Sequence, residues 1–208
     1  MAYIGLYGVY YSKCVIDPDT GELTGYAAAP AQMGKAISAS YEPADSDDNP
    51  LYANNGIAER DAAIATGGTL TLTLDRLKAQ AIVDLFGLTL TTESVIVDSS
   101  TESGIGFDYS GTETANAVGV AFIRQKQEDN DRNHHEVVIY SYVTFSMPTE
   151  EAETLGESIE WQTPEIEGTV SGSSVTGALP WKKVYTFDTQ AAAIQFIEDY
   201  FTPSGSPE

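Results

Sequence analysis

The sequence predicts a mainly β protein with two short α-helices, and three observations carry that prediction. Alternating apolar and polar side chains mark two strands between Lys35 and Leu74, the second ending in Thr69-Leu70-Thr71-Leu72-Thr73-Leu74. A second strand pair follows at Val118 to Gln127 and Val137 to Met147, joined by the polar turn Glu128-Asp129-Asn130-Asp131-Arg132-Asn133. An amphipathic period of helical type is found only at Leu77 to Phe86 and in a segment ending at Phe201.

Taken in order, Tyr3 to Tyr11 is aromatic and β-prone, interrupted by Gly5 and Gly8. Val15-Ile16 and Leu23-Thr24 flank Asp17-Pro18-Asp19-Thr20-Gly21-Glu22, a turn with Pro early and Gly late. Residues 1–34 are therefore expected to form an extended N-terminal arm or hairpin, and the hinge-like Tyr26-Ala27-Ala28-Ala29-Pro30 leads to Lys35. Residues 43–56 are too long a connection for a tight turn and read as a long acidic loop. Gly67-Gly68 is expected to be a bulge or kink.

Asp75 is the expected N-cap of the first helix and Gly87 its stop, with Leu77, Ala81 and Leu85 on one face. Thr91 to Asn116 reads as loop with a short strand at Val95 to Val97. Thr149 to Glu167 is acidic with an apolar thread (Ile159, Trp161, Pro164, Ile166) and reads as extended. Gly168 to Gly177 reads as a turn, and Lys183 to Phe187 as a strand. Asp188 or Thr189 caps a last helix that buries Ala193, Ile194, Ile197 and Phe201. Residues 1–201 are expected to form one domain and residues 202–208 a flexible tail.

Composition narrows the function. The 208 residues carry 31 acids against 10 bases, a formal net charge of -21. That balance excludes a groove that holds nucleic acid, which needs Lys and Arg against phosphates. It fits a surface that repels a polyanion. Hydrophobic residues make up 42%, enough for a sizeable core. Cys14 is the single cysteine, so no internal disulfide forms, and its Tyr-rich setting argues for a packed thiol rather than a catalytic one. Without a secretory signal or an apolar run of membrane-spanning length, the chain is expected to be soluble, made in the cytoplasm and free of any membrane.

The search for chemistry returns no site. Asp17-x-Asp19-x-Gly21, Asp45-x-Asp47-x-Asn49 and Asp129-x-Asp131-x-Asn133 start like calcium loops. Their sixth residues are Glu22, Pro50 and His134 instead of Gly, and their twelfth are Ala28, Gly56 and Tyr140 instead of Glu, so polar turns account for them. His134 and His135 are adjacent, and neighbours on a strand point to opposite faces. Gly-x-Ser-x-Gly and Ser-x-x-Lys arrangements are missing, and Gly104-Ile105-Gly106 lacks a third glycine. Trp161 and Trp181 sit in apolar alternation and are expected in the core. No enzyme activity, cofactor or metal is expected.

Several segments, in order, resemble the major tail (tail tube) proteins of long-tailed, non-contractile bacteriophages, in particular those of Gram-positive hosts. Leu51-Tyr52-Ala53-Asn54-Asn55 resembles the family's Leu-Tyr-Ala-Asp-Asn element, with Asn54 in place of Asp. Gly68-Thr69-Leu70-Thr71-Leu72, Asp75-x-Leu77 and Phe86-Gly87 resemble its strand-to-helix junction, and Val118-Gly119-Val120-Ala121-Phe122 its next strand. Phe145-x-Met147-Pro148, Gln162 to Gly168, Trp181-Lys182 and Phe187-Asp188-Thr189 follow. The Asp17 to Gly21 turn and the stretch Thr91 to Asn116 depart from the pattern.

The resemblance implies a structural virion protein with a β-sandwich or barrel-like subunit. Hexameric rings of it stack into a hollow tube, each subunit giving two hairpins to a continuous barrel around the lumen. Its partners would be copies of itself, the tape-measure protein in the lumen during assembly, and tail terminator and baseplate proteins at the ends. Double-stranded DNA would pass through in transit, without specific binding. The acidic loop would reach the adjacent ring through Glu42, Asp45, Asp47, Asp48, Asn49, Leu51 and Tyr52. Strand parity turns Leu70, Leu72 and Leu74 to the core and Thr69, Thr71 and Thr73 away from it. The same parity nominates Ser38, Ser40, Glu59, Asp61 and Glu136, and with them Glu42, for the face turned to lumen or solvent. The alternatives are another tail ring component (terminator or baseplate) and a carbohydrate-binding β-sandwich.

Overall fold

The computed structural model describes residues 2–44, 49–53, 56–61, 67–127, 133–149, 154 and 162–202, with the backbone alone described at 49–53 and 56–61. Among them are thirteen strands and three short helices, so the protein is mainly β, as the alternation predicts. Nine strands form one open antiparallel sheet. Its path runs β2 (Leu23–Tyr26), β1 (Ala2–Ile16), β10 (Ala117–Gln127), β11 (Asn133–Phe145), β12 (Glu165–Ser171), β7 (Gly67–Leu74) and β4 (Ala36–Pro43). β3 (Ala31–Gly34) joins β1, and β13 (Lys182–Phe187) joins β11. The sheet folds over itself, bringing Tyr41 of β4 onto Tyr140 of β11 with ring centroids 5.0 Å apart.

The two strand pairs legible in the sequence are the two halves of this sheet. β4 pairs with β7 and β10 with β11, both antiparallel. Leu70, Leu72 and Leu74 are fully buried, as parity requires, and join Val118, Val120, Phe122, Val138, Tyr140, Ile166 and Val170 in the main core. Helix α1 (Ala79–Phe86) closes that core with Ala81, Leu85 and Phe86. Helix α3 (Gln190–Phe201) lies on the opposite face of β10 and β11, burying Ala193, Ile197 and Phe201 against Ala121, Ile123, Val137 and Ile139. The Thr189 hydroxyl caps α3 by accepting from the Ala192 N–H at 3.2 Å. Gly87 ends α1 in the left-handed region, φ 68°, as its position predicts.

Several expectations are corrected. Of the two expectations for residues 1–34 the hairpin holds and the arm does not: β1 and β2 pair across the Asp17 to Glu22 turn, and β1 is also paired with β10 and β3 inside the sheet. Gly5 and Gly8 mark its register shifts, and Gly8 supplies the positive φ that one of them needs. The Tyr26 to Pro30 stretch is pinned rather than hinge-like, with Tyr26 buried and the Ser12 hydroxyl donating to the Ala28 carbonyl at 2.6 Å. Gly68 sits in unbroken register between β4 and β12, and Gly67 continues the register with β12. They are glycines because carbonyls pass close by; a Cβ on Gly67 would stand 2.5 Å from the Val170 oxygen.

Asp75 caps no helix. Its carboxylate accepts from the Lys35 N–H at 2.8 Å, and α1 starts four residues later with Lys78 as N-cap. Residues 43–56 are not one loop. β5 (Asn49–Ala53) and β6 (Gly56–Asp61) pair as a hairpin nested in sequence between β4 and β7. The weakly patterned stretch after α1 holds β8 (Thr89–Val97) and β9 (Ser100–Asp108), a second hairpin, turned by Asp98 and Ser99 with positive φ at both. Gly168 to Gly177 is the end of β12 followed by the one-turn helix α2 (Ser173–Thr176). Ile159 and Trp161, the Glu128 to Arg132 turn and the tail from 203 lie outside the described residues, whereas Trp181 packs against the main core.

Gly119 of β10 faces α3, where a Cβ would meet a Tyr26 ring carbon at 2.5 Å and also the Phe201 ring. Gly119→Ala is expected to cost about 1–3 kcal/mol by overpacking, read as a lowered urea midpoint; an unchanged midpoint refutes the packing described.

A pH dependence follows from the same core. Burial holds the Tyr26 and Tyr140 hydroxyls well above the usual tyrosine range, and pushes the Cys14 thiol up to about 12. In each case the unfolded chain releases its proton first. The stability these groups contribute is complete at neutral pH and is lost as pH climbs above about 8.5 for the thiol and about 10 for the tyrosines. Lys182, lowered by its own burial, works in the opposite sense but is one group against several. Denaturant midpoints should fall from about pH 9 upward, and Tyr140→Phe should flatten the fall above about pH 10; a parent protein equally stable at pH 7 and pH 11 would overturn this.

Candidate functional site

The residue rows of β4, β7 and β12 build one continuous polar surface. Register places Ser38 beside Thr73 and Thr73 beside Glu165, then Ser40 beside Thr71 and Thr71 beside Glu167. The third row runs Glu42, Thr69, Thr169 and on to Thr144 of β11. The alternating rows, Ala39–Leu72–Ile166 and Tyr41–Leu70–Gly168, point into the core. Because side chains alternate along a strand, the burial of one set of rows forces the other outward. Ser38, Ser40, Glu42, Glu165, Glu167 and Thr169 are exposed, and the three β7 threonines are half-buried between them.

This face consists of hydroxyls and carboxylates, with no Lys or Arg in its rows. The Ser38 hydroxyl donates to Thr73 Oγ1 at 2.8 Å, a cross-strand pair of the kind that fixes register. A threonine ladder flanked by carboxylates offers neutral hydroxyls and negative charge, with no cation in the rows to pair with a phosphate.

The structure therefore brings five of the nominated lumen residues together: Ser38, Ser40, Thr69, Thr71 and Thr73. Glu42, nominated for the inter-ring loop, lies on the same face as part of β4. Glu165, Glu167 and Thr169 were missed, although Glu165-Ile166-Glu167-Gly168-Thr169-Val170 is itself an alternating run. Glu59 and Asp61 of β6 stand in register with Leu51 and Asn49 of β5, so both nominated groups meet on the nested hairpin. Tyr52 is opposite Ile57 there. Asp45, Asp47 and Asp48 lie outside the described residues.

Glu136 is a correction. It is only 6% exposed, forms an ion pair with Arg124 and accepts from the Tyr3 hydroxyl at 3.2 Å. Alternation near the end of β11 nominated it, but Arg124 stands directly opposite on β10 and closes over it. Lys182 completes this corner, with its ammonium 4.8 Å from the Tyr41 ring centre and 5.3 Å from that of Tyr140. Its pKa is lowered, first by burial and then by the neighbouring Arg124 charge, with Glu136 opposing. The two histidines diverge as strand neighbours must: His134 Nδ1 lies 3.1 Å from the Asp188 carboxylate, while the His135 ring packs toward Tyr7.

The Asp17 turn is closed by its own side chain, which accepts from the Asp19 N–H at 2.8 Å and the Thr20 N–H at 3.2 Å. No helix among the described residues is long and apolar enough to cross a membrane. No protein-family model matches the chain, and a search of curated proteins finds no match.

Replacing Glu136 by Gln would leave the Arg124 guanidinium without its countercharge. Because Arg124 keeps about a third of its side chain in water, the cost should be about 1–3 kcal/mol rather than that of a fully buried pair. Glu167→Gln on the open face should stay within about 0.5 kcal/mol of the parent. Urea unfolding of the two variants separates the environments, and equal stabilities would overturn the assignment of Glu136.

Proposed function

We propose that this chain is the repeating subunit of a phage tail tube, polymerising as stacked hexameric rings into a channel that conducts DNA. The observation that carries the reading is the base-free face of β4, β7 and β12. A conduit for DNA needs a wall that offers phosphates no cation, and this one presents carboxylates and hydroxyls from three adjacent strands. The net charge of -21 and the ordered motifs that resemble tail tube proteins point the same way.

On this reading Ser38, Ser40, Glu42, Thr69, Thr71, Thr73, Glu165, Glu167 and Thr169 line the lumen. The free edge of β4 meets a neighbouring copy, because an unpaired strand edge otherwise invites uncontrolled pairing. The β5–β6 hairpin, with Asn49, Leu51, Tyr52, Glu59 and Asp61, reaches the next ring together with the Asp45 to Asp48 segment. The tape-measure protein occupies the lumen before DNA does, and terminator and baseplate proteins close the ends. The protein acts in the virion, as structure and not as an enzyme.

Negative-stain microscopy of the purified protein should show long hollow tubes, and a density map of them should place the threonine ladder on the channel wall with negative potential throughout. Monomers at all concentrations, or a neutral or positive channel, would sink the proposal.

A further inference from the structure

Among the described residues the β8–β9 hairpin is exposed along most of its length. Its root is held by Phe107, which packs against the main core near α1. Beyond the root, Leu90, Ile105 and Ile96 continue on the Phe107 face, with Ile105 71% and Ile96 79% exposed. Val95 and Val97 stand exposed on the other face. The hairpin forms its own two-stranded sheet, and such a ribbon is marginal in water without a cover. Its charges are Glu93, Asp98, Glu102 and Asp108, and no base occurs between Lys78 and Arg124. A surface that fits it needs apolar groups, positive charge and an open strand edge.

The same chain carries such a surface elsewhere. Among the described residues β13 pairs only with β11, which leaves its outer edge open. β13 begins with Lys182-Lys183 and exposes Val184 and Tyr185. The ammonium groups of both lysines rest over aromatic rings, Lys183 over Tyr200 at 4.6 Å and Lys182 over Tyr41. The other open edges fit less well, since β2 contains no base and β4 exposes Glu42.

We propose that the β8–β9 hairpin of one copy docks along the β13 edge of a second copy, extending its sheet. Acids meet lysines, exposed valines and isoleucines meet Val184 and Tyr185, and the open backbone groups of both edges pair. Two different surfaces are joined. Repeated head to tail from copy to copy the contact makes a closed ring or a helix, and exchanged reciprocally between two copies it makes a two-fold dimer. The contact deepens the tube reading by naming one subunit interface outside the channel wall, yet it can hold or fail independently of tubes.

The test mixes isotopically labelled and unlabelled wild-type protein under assembly conditions, couples carboxylates to amines with a carbodiimide, and maps mixed-isotope links by mass spectrometry. A paired variant, Ile96→Asp with Ile105→Asp, is checked for an unchanged fold by circular dichroism. Links from Glu93 or Glu102 to Lys182 or Lys183 are expected, together with at least an about tenfold higher concentration for assembly of the variant. Such links with rings but no tubes would support the docking and remove the tube reading. Tubes whose hairpin acids link to no β13 lysine, or link only to another hairpin's surroundings, would overturn the docking and leave the tube reading standing. An unaffected variant would also overturn it.

Discussion

The sheet turns on one local misfit between β10 and β11. Val118 pairs with Val143 and Val120 with Tyr140, so Gly119 faces two residues, Ser141 and Tyr142. This bulge changes the parity of β11. Before it, Val138 and Tyr140 enter the main core while Val137 and Ile139 face α3. After it, Val143 and Phe145 enter the main core and Thr144 turns to the outer polar face. One strand thus begins buried on both sides and ends as part of a half-exposed sheet. The missing Cβ at Gly119 makes room for the Tyr26 and Phe201 rings, which pack edge to face at 4.7 Å.

Ser141, at the bulge, is buried and fully occupied. Its hydroxyl bonds to the Pro180 carbonyl at 2.6 Å and the Tyr200 hydroxyl at 2.8 Å, and its carbonyl accepts from Tyr26 at 3.1 Å. A bulge leaves ladder groups without strand partners, and a buried polar group left unmade is costly. Here the Tyr26 hydroxyl of β2 satisfies the Ser141 carbonyl and the Trp181 carbonyl its N–H, while Tyr200 of α3 holds the Ser141 hydroxyl, which ties the helix layer to the point where the sheet changes character. The outer face of β4, β7 and β12 depends on that change, since without it Thr144 would not continue the third polar row.

How much of this was legible follows from what alternation can encode. The Leu70 to Leu74 and Ala193 to Phe201 stripes were read correctly because each element buries one face. The β1–β2 hairpin is legible because its turn is local, whereas the pairing of β1 with β10 joins strands remote in sequence and leaves no local mark. The β8–β9 hairpin was missed since its turn is Asp98-Ser99, without the glycine that usually marks positive φ, and its exposed faces lack a clean two-sided pattern. Glu136 was misplaced for a related reason: polarity in a strand argues for water until an opposing Arg124 is known to stand across from it. The polar face was half legible, as its β12 third was hidden in a stretch that reads as acidic and turn-like.

Charge sorting links these features. Several bases are engaged away from the polar rows: Lys13 pairs with Asp84 at 3.1 Å, Arg124 with Glu136, and Lys182 and Lys183 cover aromatic rings. Arg76, 3.7 Å from Asp75, borders the rows and lines one groove with Glu165 and Glu167. The rows themselves expose Glu42, Glu165 and Glu167 with no base among them, on a chain of net charge -21. Such a surface opposes its own concentration, because copies brought together repel over roughly 8–10 Å at ordinary ionic strength. Any assembly that gathers these faces around one axis must draw its cohesion from elsewhere on the subunit. Strand edges and exposed apolar side chains supply that kind of short-range cohesion, and they act at distances where screened repulsion between faces is already small. In this chain the carboxylates of the β4, β7 and β12 rows, the Lys182 and Lys183 pair of β13 and the exposed Ile96 and Ile105 of the β8–β9 hairpin lie on different elements, so the two forces act at different places.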